Sequence, residues 1–240
     1  DSVSDPLGYY RNNTANSRAL LAAAVACDVP HFIFSSTAAV YGNPARSPVG
    51  EDAVPQPMSP YGTSKLMTEM MLADVGVAHE LRYVILRYFN VAGADPKRRT
   101  GQSTAGATHL IKVAAQTALG ARPKMDVFGT DYPTPDGTCV RDYIHVTDLV
   151  GAHSAALKHL RGGGESLRLN CGYGRGYSVL ELLDAVQRVS GRTLDIRARA
   201  RRAGDIPVMI AAADRIRRVL GWQPRYDDID LIVGHALAWE

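Results

Sequence analysis

Short apolar runs alternate along the chain with longer segments that carry the composition and start signals of helices. The apolar runs at 31–36, 82–89, 125–128 and 167–171 predict short buried strands. Between and after them, the pattern predicts helices at 20–27, 61–77, 108–119, 147–160, 178–190, 214–220 and 227–239. Because helices alternate with buried strands, we expect an α/β fold with βαβ crossovers and a doubly wound, parallel, Rossmann-like sheet.

Two of these helices have clear local start signals. Pro60 suits the first turn of a helix, since its missing N–H would have no partner there in any case. Ser178 is a good N-cap, and Glu181, three residues later, completes a capping box. The N-terminal ends of the helices at 61–77 and 178–190 are therefore the best-defined boundaries in the prediction.

Composition narrows the classes of function. The chain has 240 residues, 46% of them hydrophobic, and a net charge of +3 with both signs of charge interspersed, so neither a nucleic-acid groove nor a polybasic membrane surface is indicated. The three cysteines are far apart and lack metal-ligand spacing, which favours a reducing cytoplasm and no metal site. The chain shows no membrane-spanning run and no signal peptide, and we expect a cytoplasmic protein.

Candidate chemistry centres on Tyr61 and Lys65. These residues are four positions apart on the predicted helix, so their side chains project from one face. An ammonium beside a phenol lowers the pKa of the phenol, and such a tyrosine can remove a proton from an alcohol while hydride leaves the same carbon. Thr37, at the end of the first predicted strand, would add a hydroxyl to the same pocket. The alternative, an ordinary exposed Tyr/Lys pair, is about as common for the spacing alone.

Glycines do not supply the expected dinucleotide fingerprint. A Gly-rich turn from a first strand into a helix would bring backbone N–H groups to a pyrophosphate, and no such turn opens the chain. The glycines at 162–164 follow a predicted helix and indicate a C-cap loop. The glycines at 172–176 have the wrong spacing and indicate a tight strand–helix turn.

Several motifs, in order along the whole chain, resemble one family. They are FIFSSTAAVYG at 32–42, SPYGTSK at 59–65, LRYFNVAG at 86–93, VFGTDY at 127–132, DGTCVRDYIHVTD at 136–148 and RRAGD at 201–205. Together they are similar to the UDP-glucose 4-epimerases of the extended short-chain dehydrogenase/reductase family. The resemblance implies an NAD-dependent isomerase that interconverts UDP-glucose and UDP-galactose through a 4-keto intermediate.

The resemblance also implies roles for individual residues. Tyr61 would be the catalytic base and acid, Lys65 would tune it, and Thr37 would bind the sugar 4-hydroxyl. Positions that contact NAD would be Asn12, Ser35, Tyr61, Lys65 and Phe89. Positions around the UDP-sugar would be Thr37, Tyr61, Asn90, His109, Asp126, Val127, Phe128, Arg141, Arg202, Asp205 and Met209. Methionine at 209, where some relatives carry tyrosine, implies room for an N-acetylated sugar.

Structural roles remain open for some of these residues. Arg202 could be a solvated member of the basic run 197–202, and Arg141 could form an ion pair in place of binding a diphosphate. Asn90 could cap the turn after its strand. His145 is expected to serve packing more than chemistry.

Other activities on the same scaffold also remain open. Dehydratases that resemble this fold carry an acidic pair after the strand-end threonine, and Ala38 and Ala39 stand there in this chain. UDP-pentose or uronate 4-epimerisation stays an alternative, as does a non-catalytic sugar-nucleotide-binding module.

The resemblance further implies a domain organisation. Residues 1–93 would form the C-terminal part of an NAD-binding domain, and 94–240 would mainly form a smaller α/β UDP-sugar domain, with about 140–172 returning to the first. The first strands and the Gly-rich loop of the family would precede Asp1. The resemblance implies a homodimer for the full-length protein. Because residues 1–240 alone lack the Gly-rich loop, we expect them to bind NAD weakly and to show no turnover.

Overall fold

The computed structural model describes residues 2–202 and 204–240, so Ala203 of the RRAGD motif lies outside the described residues. The chain forms two compact units. The first contains the described residues up to Tyr88, together with Gly151–Cys171 and Ala212–Trp222. The second contains Phe89–Val150, the described part of Gly172–Ala211, and Gln223–Glu240.

Helices and strands alternate along much of the chain. The helices are α1 (Pro6–Tyr9), α2 (Asn16–Ala26), α3 (Pro60–Ala78), α4 (Leu110–Ala118), α5 (Val146–Arg161), α6 (Val179–Ser190), α7 (Asp214–Leu220) and α8 (Ile229–Trp239). A π-helical segment, Tyr10–Ala15, joins α1 to α2, and a 3-10 helix covers Ala38–Tyr41. The strands are β1 (His31–Thr37), β2 (Arg82–Tyr88), β3 (Asn90–Ala92), β4 (Met125–Phe128), β5 (Val140–Arg141), β6 (Tyr143–His145), β7 (Leu167–Cys171), β8 (Tyr177–Ser178), β9 (Ile196–Arg199) and β10 (Val208–Met209).

A parallel three-stranded sheet in the order β1-β2-β7 organises the first unit, and β1 lies at one end of it. The register pairs Ser36 of β1 with Arg87 of β2, and Thr37 with Tyr88. Helix α3 packs on β1 and β2, and α7 packs on β7. The apolar core between the helices and the sheet includes Leu21, Ala24, Phe34, Leu72, Leu81 and Ile85.

The N-terminus of α3 is fixed by local chemistry. The Ser59 hydroxyl accepts the Gly62 N–H at 3.2 Å, and Pro60 occupies the first turn. A Cβ atom on Gly62 would come within 2.6 Å of the carbonyl oxygen of Ala39, so only glycine permits this approach. The first turn of α3 therefore lies directly against the segment that follows β1.

The second unit is built from smaller sheets and a helical layer. Its strands pair as β10-β5-β8, β3-β6 and β4-β9, and the pairs β10-β5, β3-β6 and β4-β9 are parallel. Helices α4, α6 and α8 pack on one another. The capping box predicted for α6 is confirmed: the Ser178 hydroxyl accepts the Glu181 N–H, and the Glu181 carboxylate accepts the Ser178 N–H.

The Rossmann-like α/β fold with parallel sheets is confirmed, and the start of one helix differs from its prediction. The helix predicted at 20–27 begins earlier, since α2 starts at Asn16 and the polar residues at 12–14 lie within the π-helical segment. The chain at 139–144 is extended and divides into two strands, because β5 pairs with β10 and β8 whereas β6 pairs with β3.

The boundary between the two compact units follows Tyr88, whereas the predicted boundary follows residue 93. The first unit also contains Gly151–Cys171, whereas the predicted returning segment is about 140–172. The assignment of NAD binding to the first part of the chain and UDP-sugar binding to the rest stays a prediction.

Candidate active site

Thr37 ends β1 and is placed by the helix that follows it. Its Oγ1 accepts the Ala39 N–H at 3.2 Å, which caps the 3-10 helix. The side chain is buried. The Thr37 side chain also hydrogen-bonds with the Tyr61 hydroxyl, a contact that lowers the pKa of that hydroxyl. The strand-end threonine and the helical tyrosine therefore meet, as the sequence predicted.

Tyr61 lies in the first turn of α3 and is half-buried. Its ring meets the ring of Tyr9 edge to face, with the centroids 6.3 Å apart. Burial raises the pKa of the Tyr61 hydroxyl above its ordinary value, and the hydrogen bond from Thr37 opposes that rise. The neutral hydroxyl is thus the favoured form of Tyr61 in this structure.

Lys65 lies one turn further along the same face of α3. Its Nζ donates to the Ser35 carbonyl oxygen at 3.1 Å and lies 5.1 Å from the centroid of the Phe34 ring. Burial lowers the pKa of the Lys65 ammonium. The Lys65 ammonium is directed to β1 in this structure, and the lowering of the Tyr61 pKa by Lys65 stays a prediction.

The residues predicted to contact NAD in the first unit have well-defined neighbours. The Ser35 hydroxyl and His153 Nε2 are 3.0 Å apart. Asn12 lies on the π-helical segment, where its Oδ1 accepts from Asn16 at 3.4 Å. Asn13, beside it, donates from Nδ2 to Ser64 Oγ at 3.0 Å and so ties this segment to α3. His153 and Asn13 were missed by the sequence reasoning, since neither belongs to a recognisable motif.

In the second unit, β4 and the basic run form one group. The Arg202 guanidinium lies over the Phe128 ring at 4.9 Å and pairs with the Asp205 carboxylate at 3.0 Å. Asp126 pairs with Arg199 at 2.9 Å, and Val127 is buried. The structure therefore brings Phe128, Arg202 and Asp205 together.

Arg141 and Met209 are register partners in the β5–β10 pair, and Met209 is buried. Arg141 Nη1 donates to the carbonyl oxygens of Val140 and Pro207, at 2.9 and 3.5 Å.

The neighbouring carboxylate, Asp142, accepts the N–H groups of Tyr173, Gly174 and Ala211. Burial raises the pKa of Asp142 to about 6. These three backbone N–H groups therefore supply hydrogen-bond donors to the buried Asp142 carboxylate.

The remaining predicted residues of the second unit have other contacts. Phe89 is buried, and Asn90 is exposed with its N–H donating to the Asp142 carbonyl oxygen at 3.0 Å. His109 is exposed at the N-cap position of α4, and its Nδ1 is 3.4 Å from Gln102 Nε2. His145 is fully buried and stacks on Tyr226 with the ring centroids 4.5 Å apart.

No group of three or more His, Cys, Asp or Glu side chains in residues 2–202 and 204–240 could hold a metal ion. Within the same residues, no helix has both the length and the apolar character needed to cross a bilayer.

The family model that describes the NAD dependent epimerase/dehydratase family matches residues 1–172. This chain belongs to that family. Among curated members, the UDP-glucose 4-epimerase of Azospirillum brasilense is 60% identical over 240 residues, an alignment that covers all of this chain and 69% of that protein. The family resemblance seen in the motifs is thereby confirmed.

Solved structures of epimerases have the same fold as this chain. The UDP-glucose 4-epimerase from Brucella ovis, in complex with NAD, is 46% identical with a TM-score of 0.95, over 99% of this chain and 73% of that one. The enzyme from Bifidobacterium longum, in complex with NAD+ and UDP, is 39% identical with a TM-score of 0.94, over 99% of this chain and 71% of that one.

Proposed function

We propose that the full-length protein catalyses the NAD-dependent interconversion of UDP-glucose and UDP-galactose; weak NAD binding and no turnover by residues 1–240 alone stay a prediction. The observation that carries the proposal is the set formed by Thr37, Tyr61 and Lys65. The strand-end hydroxyl hydrogen-bonds with the tyrosine, and Lys65 lies one turn away on α3 with its Nζ 3.1 Å from the Ser35 carbonyl oxygen. Relatives that are named UDP-glucose 4-epimerase at 60% and 43% identity over essentially the whole chain support it over a UDP-pentose or uronate epimerase.

The residues of the first unit fit NAD. Within the described residues, the Lys65 ammonium is half-buried and meets a single carbonyl acceptor, so N–H donors remain for a ribose diol. We assign Lys65, Tyr61, Ser35 and Asn12 of this unit to the cofactor, and also Phe89, the first residue of the second unit. NAD held by these residues would supply the hydride acceptor and donor for C4 of the sugar.

Tyr61 and Thr37 carry the proton chemistry. In its ionised form, the Tyr61 oxygen removes the proton of the sugar 4-hydroxyl, and the neutral hydroxyl formed in this way gives the proton back after the 4-keto sugar has presented its other face. The Thr37 hydroxyl holds the reacting oxygen and stabilises negative charge on Tyr61 by hydrogen bonding. Burial favours the neutral tyrosine, which is the form needed for the second proton transfer.

The second unit is assigned to the UDP end of the substrate. Arg141 and Arg202 are suited to a diphosphate, because a guanidinium presents paired donors to phosphate oxygens. The Phe128 ring, beneath Arg202, offers an apolar surface. Asn90, His109, Asp126, Val127, Asp205 and Met209 are assigned to the same substrate. Tight binding at the nucleotide leaves the sugar free to turn.

The protein is further proposed to be a cytoplasmic homodimer. Helices α2 and α3 expose the apolar side chains of Leu20, Met67 and Met70, which a second copy of the chain would cover. Cys27, Cys139 and Cys171 form no disulfide with one another, which supports a reducing compartment. Light scattering after size exclusion would measure the mass, and a monomer at micromolar concentration would refute the dimer.

Turnover tests the proposed function directly. The protein is incubated with NAD⁺ and UDP-galactose, and UDP-glucose is followed by chromatography. Tyr61→Phe should lower the turnover by about 10²–10⁴-fold, since it removes the general base and acid. Tyr83→Phe, a matched loss of a hydroxyl on β2, should leave turnover unchanged. Near-normal turnover by Tyr61→Phe would contradict the assignment.

A further inference from the structure

Glu69 is a fully buried carboxylate on the helix that carries Tyr61 and Lys65. Tyr61, Lys65 and Glu69 are four residues apart in turn, so they project from one face of α3. Charged side chains are rarely buried to this degree unless they are paired. The sequence pattern gave no sign of this residue's burial.

The Glu69 carboxylate is held by all three strands of the sheet. The Ser36 hydroxyl of β1 donates to it at 2.5 Å, and Arg87 of β2 donates from Nε at 2.9 Å and from Nη2 at 2.5 Å. Arg168 of β7 lies 3.2 Å away. Because Ser36 and Arg87 are register partners, the carboxylate binds two adjacent strands at the same level.

Three successive residues of β1 thus contact three successive turns of α3. The Ser35 carbonyl accepts from Lys65, the Ser36 hydroxyl donates to Glu69, and the Thr37 side chain hydrogen-bonds with the Tyr61 hydroxyl. A shift of α3 along β1 would change all three contacts together. Glu69 is held more firmly than Lys65 and Tyr61, since its carboxylate also binds the Arg87 guanidinium of β2 in two-point geometry.

Stability alone does not account for a buried ion pair of this kind. An apolar pair of similar volume often gives an equally stable protein, because burying two charges has a large desolvation cost. What an apolar pair does not supply is a directional contact that fixes the helix at one level. Reacting groups must be held to within about 0.5 Å, and a misplacement of about 1 Å can lower a rate about 10²-fold.

We infer that Glu69, held by Ser36 and Arg87, is a positioning residue for the reaction. It fixes the level of α3 on β1 and thereby keeps the Tyr61 oxygen at the Thr37 hydroxyl and the Lys65 ammonium at the Ser35 carbonyl. This role rests on the proposed function, in which Tyr61 carries the proton transfer. Glu69 itself touches no reacting atom in this assignment.

Ser36→Ala is the first test, with Ser178→Ala as its matched control. Both serines are buried, and both hydroxyls donate to a carboxylate, Glu69 in one case and Asp136 in the other. Only Ser36 bears on α3. Ser36→Ala should lower kcat about 10-fold with KM for UDP-galactose within twofold, whereas Ser178→Ala should change neither constant. Both variants should lose a few degrees of Tm.

Glu69→Gln is the second test and should lower kcat about 10²-fold at unchanged KM, because the amide N–H group opposes the Arg87 donors. If Glu69→Gln does not fold, Ser36→Ala still decides the question. Equal kcat values for Ser36→Ala, Ser178→Ala and the wild type would overturn the inference. A loss of kcat that follows Tm in both serine variants would also overturn it, since that is the result of a merely structural role.

A second readout separates this inference from the proposed function. In protein labelled with ¹³C at the tyrosine ring, the Tyr61 signal is assigned by its loss in Tyr61→Phe, and its pH titration is followed by NMR. Ser36→Ala should shift that titration, and Ser178→Ala should not. Absence of UDP-galactose turnover in the wild type would refute the proposed function, and an unchanged Tyr61 titration in Ser36→Ala would refute the positioning role.

Discussion

Replacing Arg87 by methionine should destabilise the protein far more than the same change at Arg188. The two arginines have almost the same pairing geometry. Arg87 contacts Glu69 at 2.9 and 2.5 Å, and Arg188 contacts Asp230 at 3.0 and 2.5 Å. They differ in burial, because the first pair is 1% and 0% exposed and the second is 58% and 44% exposed. The comparison therefore isolates the effect of burial on an ion pair.

The expected magnitude follows from the partner that is left behind. In Arg87→Met, the Glu69 carboxylate stays buried with the Ser36 hydroxyl and the Arg168 guanidinium, which is 40% exposed, as its remaining partners. Breaking a buried pair costs about 3–5 kcal/mol, and we expect the lower part of that range because Arg168 remains. For a chain of this size, such a loss lowers Tm by roughly 6–20 °C. Arg188→Met should have no measurable effect, because exposed pairs contribute little and are screened by salt.

Urea denaturation followed by circular dichroism measures both variants on one scale. The double variant Glu69→Leu/Arg87→Met should recover much of the stability that Arg87→Met loses, since it leaves no buried carboxylate, and Arg168, which loses its partner, is 40% exposed to solvent. A midpoint for Arg87→Met equal to that of Arg188→Met would refute the reasoning. So would a double variant that is less stable than Arg87→Met.

Three further predictions concern the site and its pH dependence. Thr37→Val should lower kcat about 10²-fold. The hydrogen bond with Thr37 lowers the pKa of Tyr61, so its loss should raise that pKa and move the rise of activity with pH to higher pH. Burial lowers the pKa of His145 to about 4, so the wild type should lose stability as pH falls from about 6.5 to about 4, and the urea midpoint of His145→Asn should fall less over that range. Arg202→Ala should raise KM for UDP-galactose at least about 10-fold with little change in kcat, whereas Arg197→Ala, a change in the same basic run, should alter neither.

Local signals predicted those parts of the fold that depend on neighbours in sequence. Ser59 and Pro60 fixed the start of α3, and Ser178 with Glu181 fixed the start of α6. The strand-end position of Thr37 and the helical spacing of Tyr61 and Lys65 were enough to expect the contact between β1 and α3.

The missed features depend on partners that are distant in the chain. The division of 139–144 into β5 and β6 follows from pairing with different strands, which no local pattern reveals. The rise in the pKa of Tyr61 follows from burial, and the lysine that was expected to oppose it turns to a carbonyl on β1. Glu69 and Arg87 have the composition of exposed residues, yet tertiary pairing buries both.

In the proposed mechanism, one carbon of the sugar is oxidised and then reduced within one protein, with Tyr61 moving the proton. Incubation of UDP-galactose with the protein and NAD⁺ in D₂O distinguishes this mechanism from proton exchange at C4. The UDP-glucose formed should carry hydrogen, not deuterium, at C4, because the hydride that leaves C4 returns to it while only the hydroxyl proton exchanges with solvent. Deuterium at C4 of the product, detected by NMR or mass spectrometry, would rule the mechanism out.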